Sequence, residues 1–272
     1  MTMVANRPII AILDSGVGGL TIFEPLSRQW LGSEFRYFCD NGFFPYGLKD
    51  ESELRRRIEA VTKAIGRLGE PDLLVVACNT ASTLALDLIR GLVAYPVVGV
   101  VPAIKPAAAL SKARVIGLLA TPATINRRYT TDLINEFAGD CHVARVGSDL
   151  LVRLAEEHLR GGRIDVSAVA REIAPLFDGP TGPLSTDVVV LGCTHFPLLI
   201  EALNAAVPRP VVFLEPAEAI CKRATAVLQQ KGFVPPKQSG IHRWFFTRSS
   251  VDERLLASLR VWGFEDVAAI DV

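Results

Sequence analysis

Along the whole chain, short β-branched runs alternate with stretches whose apolar residues recur every three to four positions. That alternation predicts a mostly parallel sheet covered by helices. The candidate strands fall into two matching series. The first comprises residues 9–13, 35–39, 73–77 and 97–100, and the second 114–120, 141–146, 188–192 and 211–214. Between them lie helical patterns such as 51–68, where Leu54, Ile58, Val61, Ile65 and Leu68 share one face and the rest reads as charged and solvated. Residues 217–232 read as a helix stopped by Gly232, followed by a loop over 234–240. The remaining segment reads as strand 242–247, helix 251–262 and strand 267–272, packed on the first lobe.

The two series share more than their order. Residues 72–80 (DLLVVACNT) align without gaps on 187–195 (DVVVLGCTH), placing Asp72 on Asp187 and Cys78 on Cys193. At nearly the same offset, 97–103 match 211–217, with Pro102 against Pro216. The pattern therefore predicts two pseudo-symmetric α/β lobes with an active site in the cleft between them. The first lobe spans 1–101 with 215–272 and the second 102–214, the chain crossing near the two prolines. The most apolar window, 91–110, is interrupted by Pro96, Pro102, Lys105 and Pro106, so it reads as strand, corner and helix rather than a membrane span.

Composition narrows the function classes. The 272 residues are 50% apolar, and 29 basic residues balance 29 acidic ones, so no single-sign field favours nucleic acid or an anionic membrane as a partner. The five cysteines are widely spaced and form no C-x-x-C, which indicates reduced thiols and a cytoplasmic protein. The apolar run near the N-terminus is too short for a signal segment.

Ligands of open α/β sheets bind at the carboxyl ends of strands. There this chain places Asp14-Ser15-Gly16, Asp40-Asn41 and Cys78-Asn79-Thr80 in one lobe, and Thr121 and Cys193-Thr194-His195 in the other. A single cysteine ending a strand is ordinarily a packing residue. A cysteine repeated at matched strand ends, each time followed by polar residues, is not explained by burial. Two acid/base groups on opposite faces of a carbon are what stereochemical inversion requires, and Asp14 and His195 are candidate proton partners for the sulfurs. Cys39 also ends a strand, but its second-lobe counterpart is expected at Arg145 or Val146. Cys141 and Cys221 read as packing residues. The turn SGVGG (15–19) could cradle an anion or only close a tight turn; it has Thr21 where the dinucleotide fingerprint needs glycine. His142, His158 and His242 are scattered, and no metal-ligand spacing is present. In FFPYG (43–47), the Tyr46 hydroxyl and Gly47 amide could reach a ligand.

DSGVGGL (14–20), PYG (45–47), CNTAS (78–82), ATPATI (120–125) and GCTHFPLL (192–199) occur in an order and spacing similar to those of the glutamate racemases, within the aspartate/glutamate racemase superfamily. The resemblance runs nearly end to end. It implies interconversion of L- and D-glutamate without pyridoxal phosphate, metal or other cofactor, supplying D-glutamate for peptidoglycan. It implies that Cys78 takes the proton from D-glutamate and Cys193 from L-glutamate, assisted by Asp14 and His195. It further implies that Ser15, Tyr46, Gly47, Asn79, Thr80, Thr121, Thr124 and Thr194 hold substrate together with Asp14 and His195, and that either Glu156 or Glu157 supports the second cysteine. The expected partner is the small-molecule substrate, and the expected assembly is a homodimer. Asn41-Gly42, Ser148-Asp149 and Thr247-Arg248 depart from the family pattern. The alternatives are a racemase for aspartate or another amino acid, or a non-catalytic amino-acid-binding regulator.

Overall fold

The computed structural model describes residues 7–179, 185–236, 239–249 and 251–272; Lys237 and Gln238 of the expected 234–240 loop lie outside them. The fold is α/β, with two parallel sheets flanked by helices, as the alternating pattern predicts. The chain forms two compact units, Met1–Val100 with Ala217–Val272, and Val101–Pro216.

In the first unit the order is β1 (Ile9–Asp14), α1 (Leu20–Gln29), β2 (Glu34–Cys39), α2 (Glu51–Arg67), β3 (Leu73–Val76), α3 (Asn79–Leu92) and β4 (Val97–Gly99). The second unit runs α4 (Ile104–Leu110), β5 (Val115–Ala120), α5 (Pro122–Asn126), α6 (Arg128–Phe137), β6 (His142–Gly147), α7 (Asp149–Leu159), α8 (Val166–Ile173), β7 (Val188–Gly192), α9 (Ile200–Ala206) and β8 (Val212–Leu214). The chain then returns through α10 (Ala217–Gln230), β9 (Ile241–Phe246), α11 (Glu253–Val261) and β10 (Asp266–Ala269). No helix among the described residues is long and apolar enough to cross a membrane.

The sheet of the second unit has the order β6-β5-β7-β8, and β2-β1-β3-β4 repeats that order in the first unit, where β9 and β10 extend the β2 edge. The central strands β3 and β7 are buried along their whole length. This explains their continuous aliphatic runs: helices cover both faces, so no position alternates out to water. The repeated aspartates immediately precede these strands and pin their neighbours. Asp72 accepts the Ile9 amide at 2.9 Å, and Asp187 accepts the Lys112 and Ala113 amides at 2.8 and 2.9 Å and the Ser111 hydroxyl at 2.6 Å.

Three expectations are corrected. Cys39 pairs in register with Asp14, and Gly147 pairs with Ala120, so Gly147 and not Arg145 or Val146 occupies the place of Cys39. The edge strand β6 begins and ends a residue later than the apolar pattern suggests, because its side chains are largely exposed and give no sharp boundary. The polar face of α2 is not wholly solvated either, since Arg57 folds inward onto the fully buried Asp40.

Candidate active site

The first cluster forms at the carboxyl ends of β1, β2 and β3. Cys78 is buried and precedes the first residue of α3 with extended geometry, so its side chain stands at the N-terminus of a 14-residue helix, where negative charge is favoured. The Ser15 hydroxyl lies 4.0 Å from the Cys78 sulfur. Asp14 is fully buried, and its Oδ1 accepts the Gly16 amide at 2.8 Å, folding the turn that carries Ser15. Asn79 is also buried, and neither its amide nitrogen nor its amide oxygen has a hydrogen-bond partner among the described residues. A buried amide left this way costs free energy unless a ligand completes it.

Behind this cluster, Asp40 gathers donors. The Tyr46 hydroxyl donates to it at 2.7 Å, Thr247 at 2.5 Å, and Arg57 through Nε and Nη2 at 3.0 and 2.6 Å. Tyr46 follows the cis Phe44–Pro45 bond and begins a 3-10 turn through Leu48, so Gly47 lies within that turn. Burial, and then the Asp40 charge, push the Tyr46 hydroxyl well above the usual tyrosine range and keep it a neutral donor. Its proton is therefore committed to Asp40, and only its oxygen lone pairs remain for a ligand. Asn41 and Gly42 are tied to the terminal segment: the Arg248 amide donates to Asn41 Oδ1 at 3.0 Å and the Gly42 amide to Thr247 Oγ at 3.1 Å. Two of the departures from the family pattern thus meet.

The second cluster forms at the ends of β5 and β7. Cys193, Thr194 and His195 are all buried. His195 Nδ1 lies 3.8 Å from the Cys193 sulfur, and its Nε2 lies 2.9 Å from Glu156 Oε1. Arg160 donates to the other carboxylate oxygen of Glu156 at 2.9 Å. With Nε2–H donating to the carboxylate, Nδ1 is left as an acceptor facing the thiol, an arrangement suited to taking and returning its proton. Thr121 caps α5, accepting the Thr124 amide at 3.2 Å, and the hydroxyls of the two threonines lie 3.0 Å apart.

Comparisons with known proteins identify the family. A family model described as Asp/Glu/Hydantoin racemase matches residues 25–224. The chain belongs to that family. Its similar relatives include a glutamate racemase from Brucella anthropi, 45% identical over 84% of this chain and 81% of that protein. Another, from Actinobacillus pleuropneumoniae, is 38% identical over 95% of this chain and 97% of its own. Among solved structures, Escherichia coli glutamate racemase in complex with L-glutamate and the activator UDP-MurNAc-Ala matches with a TM-score of 0.89 and 38% identity, covering 98% of this chain and 99% of that one.

Within this racemase chain, the structure brings Asp14, Ser15, Tyr46, Cys78, Asn79 and Thr80 to the strand ends of the first unit, and Thr121, Thr124, Cys193, Thr194 and His195 to those of the second. Of the two glutamates left open, Glu156 holds His195. The signal was available: Leu151, Val152 and Ala155 form the buried face of α7, and a helical step puts residue 156 on that face and 157 off it. Sequence reasoning missed the clamp of Arg57 on Asp40. Cys221 behaves as a packing residue, burial raising its thiol to about 11.

Proposed function

We propose that this chain racemises glutamate with Cys78 and Cys193 as its two bases, one acting on each face of the α-carbon. The observation that carries the reading is the pair of buried cysteines at equivalent strand ends of two units with one sheet order, each beside a polar group, in a chain of the racemase family. Starting from D-glutamate, the Cys78 thiolate removes the α-proton, and the Cys193 thiol delivers its proton to the opposite face of the planar carbanion, yielding L-glutamate. The proton balance is then reversed, Cys78 as thiol and Cys193 as thiolate, and the L-enantiomer is turned over in the opposite sense. His195, oriented by Glu156, accepts and returns the Cys193 proton, while Asp14 and Ser15 serve Cys78. The unpartnered Asn79 amide, with Thr80, Thr121, Thr124, Thr194, Tyr46 and Gly47, binds the amino acid. The product D-glutamate feeds peptidoglycan synthesis, and the cytoplasm, which keeps both thiols reduced, is the compartment this chemistry needs.

Proton NMR of L-glutamate in D2O, with chelator and no added cofactor, tests the reading. Loss of the α-proton signal with appearance of D-glutamate is the expected result. Exchange with aspartate alone would replace the substrate, and no exchange with any amino acid would leave an amino-acid-binding regulator.

A further inference from the structure

We propose that Tyr37 is a positioning residue for the Cys78 half of the site, holding through the Gly16 carbonyl the turn that carries Asp14 and Ser15. The proposal rests on the two-thiol reading above. Tyr37 lies on β2, in register with Ile12 of β1 and Trp244 of β9. It is fully buried, and its ring stacks on Trp244 with centroids 3.8 Å apart and planes within 7°. Phe264 meets it edge-on at 6.1 Å. A ring so confined cannot swing, and its hydroxyl donates to the Gly16 carbonyl at 2.9 Å. Asp14 Oδ1 holds the amide of the same glycine, so Gly16 is fixed at both ends and Ser15 is set against the Cys78 sulfur.

The geometry also accounts for a motif that the chemistry above leaves unused. Gly19 has ordinary helical backbone angles, φ −61° and ψ −9°, so no conformational demand requires glycine there. Space does: a Cβ at Gly19 would sit 2.7 Å from the Tyr37 hydroxyl oxygen. This glycine of SGVGG makes room for the hydroxyl that holds the turn. Among the described residues, the second unit has no such device at the matching position. Arg145, in register with Leu118 as Tyr37 is with Ile12, is an exposed edge residue reaching Thr131 at 3.5 Å.

Tyr37→Phe removes one oxygen and keeps the stacked ring. D- and L-glutamate are enantiomers, so kcat/KM is equal in both directions for every variant, and the side of a defect must be read from isotope effects. With α-deuterated substrates, Tyr37→Phe is expected to lower kcat/KM about tenfold. The deuterium effect should rise for D-glutamate, whose proton Cys78 removes, and fall for L-glutamate. Gly19→Ala, which presses on the hydroxyl from the other side, is expected to skew the effects in the same sense and serves if Tyr37→Phe does not fold. Unchanged rates, or isotope effects that change equally for both enantiomers, would overturn the role of Tyr37 and leave the two-thiol reading standing. Turnover by Cys78→Ala would instead remove that reading and the proposal with it.

Discussion

The two strand-end clusters, one in each unit, share a framework and differ in nearly everything polar attached to it. Cys78 and Cys193 end equivalent strands, yet Cys78 starts a 14-residue helix while Cys193 leads through a 3-10 turn into a seven-residue one. The residue two places on is Thr80 in one unit and His195 in the other. Where Asp40 collects an arginine, a tyrosine and a threonine, the matching Ser148 bonds Glu172 and caps α7. One thiol is served by a helix N-terminus and a clamped backbone turn, the other by a histidine oriented by a carboxylate. The proposed reaction supplies a physical reason in its substrate. Under the two-base mechanism proposed above, the inverted carbon presents two equivalent faces to a pair of bases, but its carboxylate, ammonium and side chain have no symmetry, so a repeated framework would need unequal surroundings.

Replacing the thiols tests this comparison with the largest effect. Cys78→Ala and Cys193→Ala are each expected to lower racemisation about 10³-fold or more with the fold intact. A glutamate carrying chlorine on its β-carbon loses HCl after a single deprotonation and needs only one base. Cys78→Ala should retain this elimination with the L-configured compound, and Cys193→Ala with the D-configured one. Loss of both eliminations in either variant would show that the two thiols do not work on separate faces. Next in size comes the Asp40 clamp, which the second unit lacks. Arg57→Met leaves a fully buried carboxylate without its cation and is expected to cost about 3 kcal/mol of stability in denaturant unfolding. A midpoint within error of the parent protein would show that Tyr46 and Thr247 suffice to hold the charge.

The histidine side offers a smaller and more selective effect. Glu156→Gln keeps the shape of the side chain and weakens its hold on His195, and a loss of ten- to a hundredfold in kcat/KM is expected from orienting partners of this kind, roughly. Because His195 faces Cys193, the isotope effect should rise with L-glutamate, the reverse of the Tyr37→Phe skew. Glu157→Gln, one position round the helix, is expected to change neither. Equal losses in the two glutamine variants would break the assignment of Glu156.

How much of this was legible in the chain depends on whether a feature repeats locally. The central strands of the two series declared themselves because continuous aliphatic runs between amphipathic helices have few other solutions, whereas the exposed edge strand β6 gave no sharp boundary. The paired cysteines stood out because the repeat carried them. Arg57 was not legible, since a charged residue beside Ile58 on a polar helix face looks like any solvated arginine until β2 brings Asp40 to it. Tyr37 was hidden for a similar reason. Within a buried strand a tyrosine reads as an aromatic packing residue, and its hydroxyl partner lies across a strand pairing that periodicity does not specify. The clamp between Asn41-Gly42 and Thr247-Arg248 joins segments about two hundred residues apart, each of which alone is only a turn.

The smallest expected difference separates the two aspartates that the repeat aligned and that do no chemistry. Asp187 accepts two backbone amides and a hydroxyl, whereas Asp72 accepts one amide and meets Lys231 at 3.3 Å. Asp187→Ala should therefore destabilise by about 2 kcal/mol and Asp72→Ala by about 1 kcal/mol. Hydrogen exchange should place the first loss at the Lys112 and Ala113 amides and the second at Ile9. Burial alone would raise the Asp187 carboxyl, but the bonds from Ser111, Ala113 and Lys112 outweigh it and leave the group below its ordinary range. A carboxylate depressed on folding stabilises above its unfolded pKa, and that stabilisation is lost as pH falls through the folded value. The gap between parent and Asp187→Ala should accordingly be full at neutral pH and shrink as pH falls below about 4. A gap that stayed constant into strong acid would mean that the side chain contributes by filling space, and the matched aspartates would then owe their place to volume rather than to the strand entries they bond.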